Sequence, residues 1–207
     1  TMERPYIIGD MVWTGLDYLG ESAIGQFHYE GESRKEHYQE DHFPYHGAYC
    51  GDVDLTGWRK PISHYRSMLW NLKDGSPDIY LAVKEPDFYH KGHISETQWS
   101  VWPTWESWNW QGWEGRNIDV EIYSKSPRVR LYLNDQLVAE QQVDIDTEYT
   151  AVITLPYQPG VLKAVSLDAN RQEVKESILQ TSGEPASIKL TADRKHILAS
   201  GEDLAYI

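Results

Sequence analysis

The chain has 207 residues, with 19 Lys and Arg against 32 Asp and Glu, one cysteine, nine Trp, 14 Tyr and three Phe. A net charge of −13 leaves no basic footprint for a polyphosphate backbone, and no stretch approaches the roughly 18 consecutive apolar residues of a membrane span, so nucleic acid and bilayer are excluded as partners. The lone Cys50 excludes an intrachain disulfide and a thiolate metal cluster, and the aromatic content argues against disorder.

In chain order, Tyr6 to Trp13 is a mostly apolar run suited to a strand buried on both faces, as in a parallel sheet. The stretch from Gly20 to Gly51 has no sustained periodicity, and a loop of that length inside a compact domain is usually functional. Pro61 to Trp70 predicts a helix: Pro61 suits the first turn, and Ile62, Tyr65, Leu69 and Trp70 can share one face. Strand, loop and helix make one β/α unit, which cannot close a sheet without partner strands.

From about residue 96 the pattern becomes all-β. Ile118–Tyr123 and Val129–Leu133 alternate, and Asn134-Asp135 supplies turn chemistry before Leu137-Val138. Thr150–Leu155, Val161–Leu167 and Val174–Leu179 continue the series between turn residues, predicting an immunoglobulin-like sandwich of roughly 85 residues. Ser182 to Pro185 reads as a linker, and Ser187–Leu190 with the last residues as the opening of a further domain. Both ends read as cut from a longer polypeptide, which leaves the compartment illegible from the N-terminus.

Three constellations invite chemistry. Asp52 and Asp54, two apart on an extended segment, could share general acid/base work or a cation. His37, His42 and His46 with Glu36, Glu40 and Asp41 have the density of a metal site, but their spacing matches no metal signature and solvated loop residues are the expected reading. Trp99, Trp102, Trp105, Trp108, Trp110 and Trp113 could form a sugar-binding platform, the basis of a carbohydrate-binding-module alternative. Filling a seam between domains is the expectation for most of them, because a row of exposed indoles favours aggregation.

Trp13-Thr14-Gly15-Leu16-Asp17-Tyr18-Leu19-Gly20-Glu21 resembles the eighth-strand signature of glycoside hydrolase family 2, in its β-galactosidase-like branch. Gly51-Asp52-Val53-Asp54-Leu55-Thr56-Gly57-Trp58-Arg59-Lys60, followed by His64-Tyr65 and Trp70, is similar to the segment entering the last barrel helix. Trp108-Asn109-Trp110, Gly112, Glu114-Gly115 and Val129 to Asn134 resemble the immunoglobulin-like domain after the barrel, and Ala186 to Tyr206 the entry to the next one.

The resemblance implies an α+β fragment: the final β/α unit of a TIM (β/α)8 barrel over residues 1–92, an immunoglobulin-like β-sandwich over 93–183, and a linker with the start of a further domain over 184–207. It implies a parent that cleaves terminal β-galactosides with retention, through one acid/base and one nucleophilic glutamate. In the family these lie on the fourth and seventh barrel strands, so no catalytic residue is assigned to this chain, Glu21 included, and the fragment alone is expected to be inactive. Trp13, ending a barrel strand on the face where barrel sites are built, is expected to stack on the non-reducing sugar. Asp17 would bond sugar hydroxyls or cap the loop. No metal or cofactor is implied. The partners implied are a β-galactoside-containing saccharide and the remainder of the barrel, and the family weakly favours a periplasmic or extracellular setting. Glucuronide-cleaving branches carry an Asn-x-Lys pair where this chain reads Ala48-Tyr49-Cys50, which argues against a carboxylated sugar.

Overall fold

Strand alternation from residue 117 onward resolves into two antiparallel sheets sharing one core. The structure, a computed structural model, describes residues 4–9, 11–20, 24–31, 47–70, 79–90, 92–96 and 100–207. Its elements are β1 (Phe27–Tyr29), α1 (Pro61–Trp70), β2 (Ile79–Lys84), β3 (Ile94–Glu96), β4 (Thr104–Trp105), β5 (Asn117–Ser124), β6 (Arg128–Leu133), β7 (Gln136–Gln142), β8 (Thr150–Pro156), β9 (Val161–Leu167) and β10 (Glu173–Gln180). Among the described residues the chain is thus mostly β with one helix. One sheet has the order β4-β2-β5-β8, the other β10-β9-β6-β7, and β1 pairs with β3 apart from both.

In β6, β8 and most of β5, alternate residues turn inward. Ile118, Val120 and Ile122 of β5 meet Val129, Leu131 and Leu133 of β6 across the core, with Ile153, Leu155, Leu162 and Ala164. The β6–β7 hairpin turns at Asn134 and Asp135, both at positive φ (50° and 63°), the conformation a two-residue hairpin needs and that Asn and Asp tolerate.

Two features depart from the sequence expectations. Residues Tyr6 to Trp13, apart from Asp10, which lies outside the described residues, form no strand. Tyr6, Ile8, Met11 and Trp13 are exposed, because no described segment offers this run a ladder. Conversely, β2 lies on the N-terminal side of the expected boundary at 92/93 yet pairs with β5 from Ile79↔Ser124 to Val83↔Val120. β2 is therefore the first described strand of the sandwich. Ser187–Leu190 and the final residues form no strand either, and their apolar side chains are exposed.

The expected helix is present as α1, though Trp70 faces solvent and Met68 is the buried apolar contact. α1 lies on the outer face of the β2–β5 pair: Met68 packs with Tyr80, Ala82 and Tyr123, flanked by Tyr65 and Leu69. Tyr65 Oη donates to the Glu148 carbonyl at 2.8 Å and Lys125 Nζ to that of Leu69 at 2.8 Å. Burial raises the Tyr123 and Tyr80 phenols well above the usual range, helped by Glu121 and Glu106 respectively, so both donate as neutral hydroxyls.

His64 stacks on Tyr80, with ring centroids 4.2 Å apart and 9° between planes. Burial, and then the Arg59 charge, hold its pKa below the usual imidazole range. The unfolded chain takes up a proton near pH 6.5 that the folded ring resists, so this contribution to stability is present above that pH and lost as pH falls through the folded value. A His64→Phe variant is expected to lose less stability than the parent chain between about pH 7.5 and 5.5, measured as the shift of the urea midpoint. Equal losses in the two proteins would remove His64 from the acid response.

Candidate functional site

Trp13 stands at the start of a segment held against residues 48–53 by main-chain hydrogen bonds. Thr14 N donates to Cys50 O (3.3 Å), Asp52 N to Thr14 O (3.0 Å), Val53 N to Gly15 O (3.1 Å), Asp17 N to Val53 O (2.8 Å) and Ala48 N to Tyr18 O (2.8 Å). Above this mount the Trp13 indole is 69% exposed. Its Nε1–H donates to Tyr18 Oη at 3.2 Å and the two rings meet edge to face at 6.3 Å, which orients the indole while leaving it open to solvent.

Asp17 lies beneath, 6% exposed. Its Oδ1 accepts from Lys60 Nζ (2.8 Å) and from Gly51 N (2.7 Å), and Lys60 Nζ also donates to Tyr49 O (2.9 Å) while sitting 3.4 Å from the Tyr49 ring centroid. Of the two roles open to Asp17, this geometry is that of the loop anchor. Position 51 must be glycine for the anchor to form, since a Cβ there would lie 2.2 Å from Asp17 N. Burial lowers the Lys60 pKa despite the adjacent carboxylate, and the Tyr49 phenol is pushed up to about 12 by burial and by Asp17 and Asp54.

Asp52 and Asp54 do not converge on a common target. Asp52 pairs with Arg66 of α1. Asp54 closes its own turn, Oδ1 accepting from Thr56 N (2.8 Å), Thr56 Oγ1 (2.7 Å) and Trp58 N (2.9 Å). The Thr56 hydroxyl, followed by the two backbone donors, holds its carboxyl below the usual range. The paired-carboxylate possibility gives way to a helix anchor and a turn. His37, His42, His46, Glu36, Glu40, Asp41 and Glu21 lie outside the described residues. Among the described residues no group of three or more His, Cys, Asp or Glu could hold a metal ion, and no helix is long and apolar enough to cross a membrane.

The Trp window is no exposed row. Trp99 lies outside the described residues. Trp108 and Trp110 are buried in the sandwich's own core and not in a seam, Trp108 lying edge to face on Tyr157 at 4.9 Å. All five described indoles donate within the chain: Trp102 to Glu85 O, Trp105 to Glu85 Oε2, Trp108 to Gln158 O, Trp110 to Ser107 O and Trp113 to Asn117 O. Trp105 does reach a seam, stacking on Trp58 at 5.9 Å. Sequence reasoning missed Glu85. It is 2% exposed and receives Tyr29 Oη (2.5 Å) and Trp105 Nε1 (2.9 Å), joining β1 to the sandwich. Its only signal was a carboxylate following an apolar run.

Fold and site together define a β-sandwich carrying, through α1 and its preceding loops, a mounted and solvent-facing indole. A family model described as a domain of unknown function (DUF4982) matches residues 115–175. Beta-galactosidase BoGH2A of Bacteroides ovatus is 26% identical over 207 residues, 99% of this chain and 19% of that protein. A glycosyl hydrolase family 2 member from Bacteroides cellulosilyticus superposes with a TM-score of 0.76 at 33% identity, over 99% of this chain and 25% of that one. A beta-glycosidase from Bacteroides vulgatus shares the fold, with a TM-score of 0.56 at 19% identity over 90% of this chain and 18% of its own. The chain is a relative of glycoside hydrolase family 2 along essentially its whole length. It spans about a fifth of the curated relative and a quarter of that family 2 structure.

Proposed function

We propose that this chain is the C-terminal part of a retaining family 2 glycoside hydrolase that cleaves terminal β-galactosides. Residues up to Trp70 belong to the closing segment of a TIM barrel, residues 79–180 form an immunoglobulin-like sandwich, and residues from 184 lead into a further domain. The sandwich assignment is supported by two antiparallel sheets facing each other over about 100 residues, the size of such modules. The observation that carries the functional reading is Trp13: a large indole held in the open by its own neighbours, suited to the apolar face of a pyranose. A neutral sugar is favoured because Lys60, the buried cation that holds the Trp13-bearing segment through Asp17, is already engaged there and so is not offered to a substrate carboxylate. The platform reading of the Trp99–Trp113 row has less support, since its described indoles bond inside the chain.

The test is hydrolysis of a chromogenic β-galactoside by the longer polypeptide containing this chain, with the corresponding β-glucuronide as comparison. Turnover of the galactoside is expected, with Trp13→Ala lowering kcat/KM by about 30-fold, the loss of roughly 2 kcal/mol of stacking and burial. The isolated chain is expected to show none. An unchanged kcat/KM in Trp13→Ala, or a preference for the glucuronide, overturns the reading.

A further inference from the structure

α1 covers only part of the outer face of the β4-β2-β5-β8 sheet. Beside it, between this face and the segment leading into the helix, lies a groove of about 470 Å³. That volume falls within the range of small-molecule sites. Trp58, stacked on Trp105, forms one wall; Tyr65 of α1 and Tyr123 of β5 add aromatic surface, and Val152 of β8, 45% exposed, lines it from the strand beyond. Trp13 is not among the residues that line it.

The charged side chains lining the groove are Lys60, Lys84, Glu121 and, at its exposed rim, Glu148, and both cations are already paired. Lys84 and Glu121 pair at 3.3 Å with side chains still partly accessible, and Lys60 is engaged by Asp17 and the Tyr49 carbonyl. An anionic ligand would compete with pairs already formed by both lysines. A neutral ligand meets aromatic faces together with an ammonium donor, a carboxylate acceptor and the hydroxyl oxygens of Thr104 and Thr150, whose protons go to the Trp102 and Glu148 carbonyls and whose lone pairs can still accept. Apolar C–H faces alternating with hydroxyls, without charge, is the chemistry of a neutral saccharide chain.

We propose that this groove is a second saccharide-binding site, taking a neutral oligosaccharide against Trp58 and Tyr65, distinct from Trp13. The inference does not depend on catalysis by a longer polypeptide, because binding is read on the 207-residue chain itself.

The experiment titrates that chain with galactotetraose, cellotetraose and mannotetraose, and with a galacturonate oligomer as the charged comparison, by calorimetry and Trp fluorescence. Saturable binding of at least one neutral tetraose is expected, with the galacturonate weaker. Trp58→Ala should weaken binding at least about tenfold. Val152→Arg, which fills the groove from a half-exposed position without removing a core contact, should do the same with an unchanged circular dichroism spectrum and Tm. Trp13→Ala should leave the affinity unchanged. No saturable binding by any neutral tetraose overturns the proposal, as does binding that survives Val152→Arg or is abolished by Trp13→Ala. A groove that instead receives another segment of a longer polypeptide would give the first of these outcomes.

Discussion

Trp108→Ala is expected to destabilise the sandwich by about 3–5 kcal/mol, the range for deleting a large buried aromatic side chain. Trp108 has no exposed surface and packs against Tyr157, while its Nε1–H satisfies the Gln158 carbonyl at 3.0 Å. Its own carbonyl accepts from Thr181 Oγ1 at 2.7 Å, tying the end of β10 to the loop before β5. Alanine removes the ring and leaves both a void and an unpaired Gln158 carbonyl, two costs that add. For a domain of about 100 residues this corresponds to a fall in Tm of roughly 15 °C or more. Trp108→Phe keeps most of the packing and loses only the donor, so its effect should be much smaller. Urea unfolding monitored by circular dichroism reads both, and a Trp108→Ala loss under about 1 kcal/mol would contradict the packing described.

The second large effect concerns Asp17 and Lys60. Their side chains are only 3% and 9% exposed, and removing either leaves the other charge buried without its partner. Asp17→Ala or Lys60→Met should each cost about 3–5 kcal/mol in the stability of the segment they join. The readout is hydrogen exchange at residues 13–18 and 48–53, whose main-chain bonds lie around this pair. Burial lowers the Lys60 pKa even beside Asp17, and a buried pair of this kind fixes geometry more than it adds net stability. The double change Asp17→Leu with Lys60→Met is accordingly expected to cost much less than the sum of the single changes. Additive costs would mean the two residues act separately.

Much of the sandwich was legible in the sequence. β6, β8 and most of β5 present one face to the core and one to solvent, and that asymmetry writes itself as alternation. Asn134-Asp135 marked its hairpin for an equally local reason. β2 was not legible, because the opposite sheet covers one of its faces and α1 lies over the other. Five of its six residues are buried, leaving no alternation to read. The site was legible in part. Trp13 could be singled out from its motif, whereas whether Asp17 faced a ligand or an anchor depended on Lys60, 43 residues away.

The sequence by itself determined the acidic surface, the absence of an intrachain disulfide, the helix beginning at Pro61 and the order of the later strands. Each of these follows from composition or from periodicity within a few residues. Only the tertiary structure decided between like segments. Tyr6–Trp13 and Ile79–Lys84 are both short apolar runs, yet only the second is a strand, because β5 and β4 offer it a ladder and no described segment offers one to the first. The described Trp divide in the same way. Trp108 and Trp110 are core, Trp58 and Trp105 form a seam, and Trp13 stands in solvent, since an indole's role is set by what surrounds it.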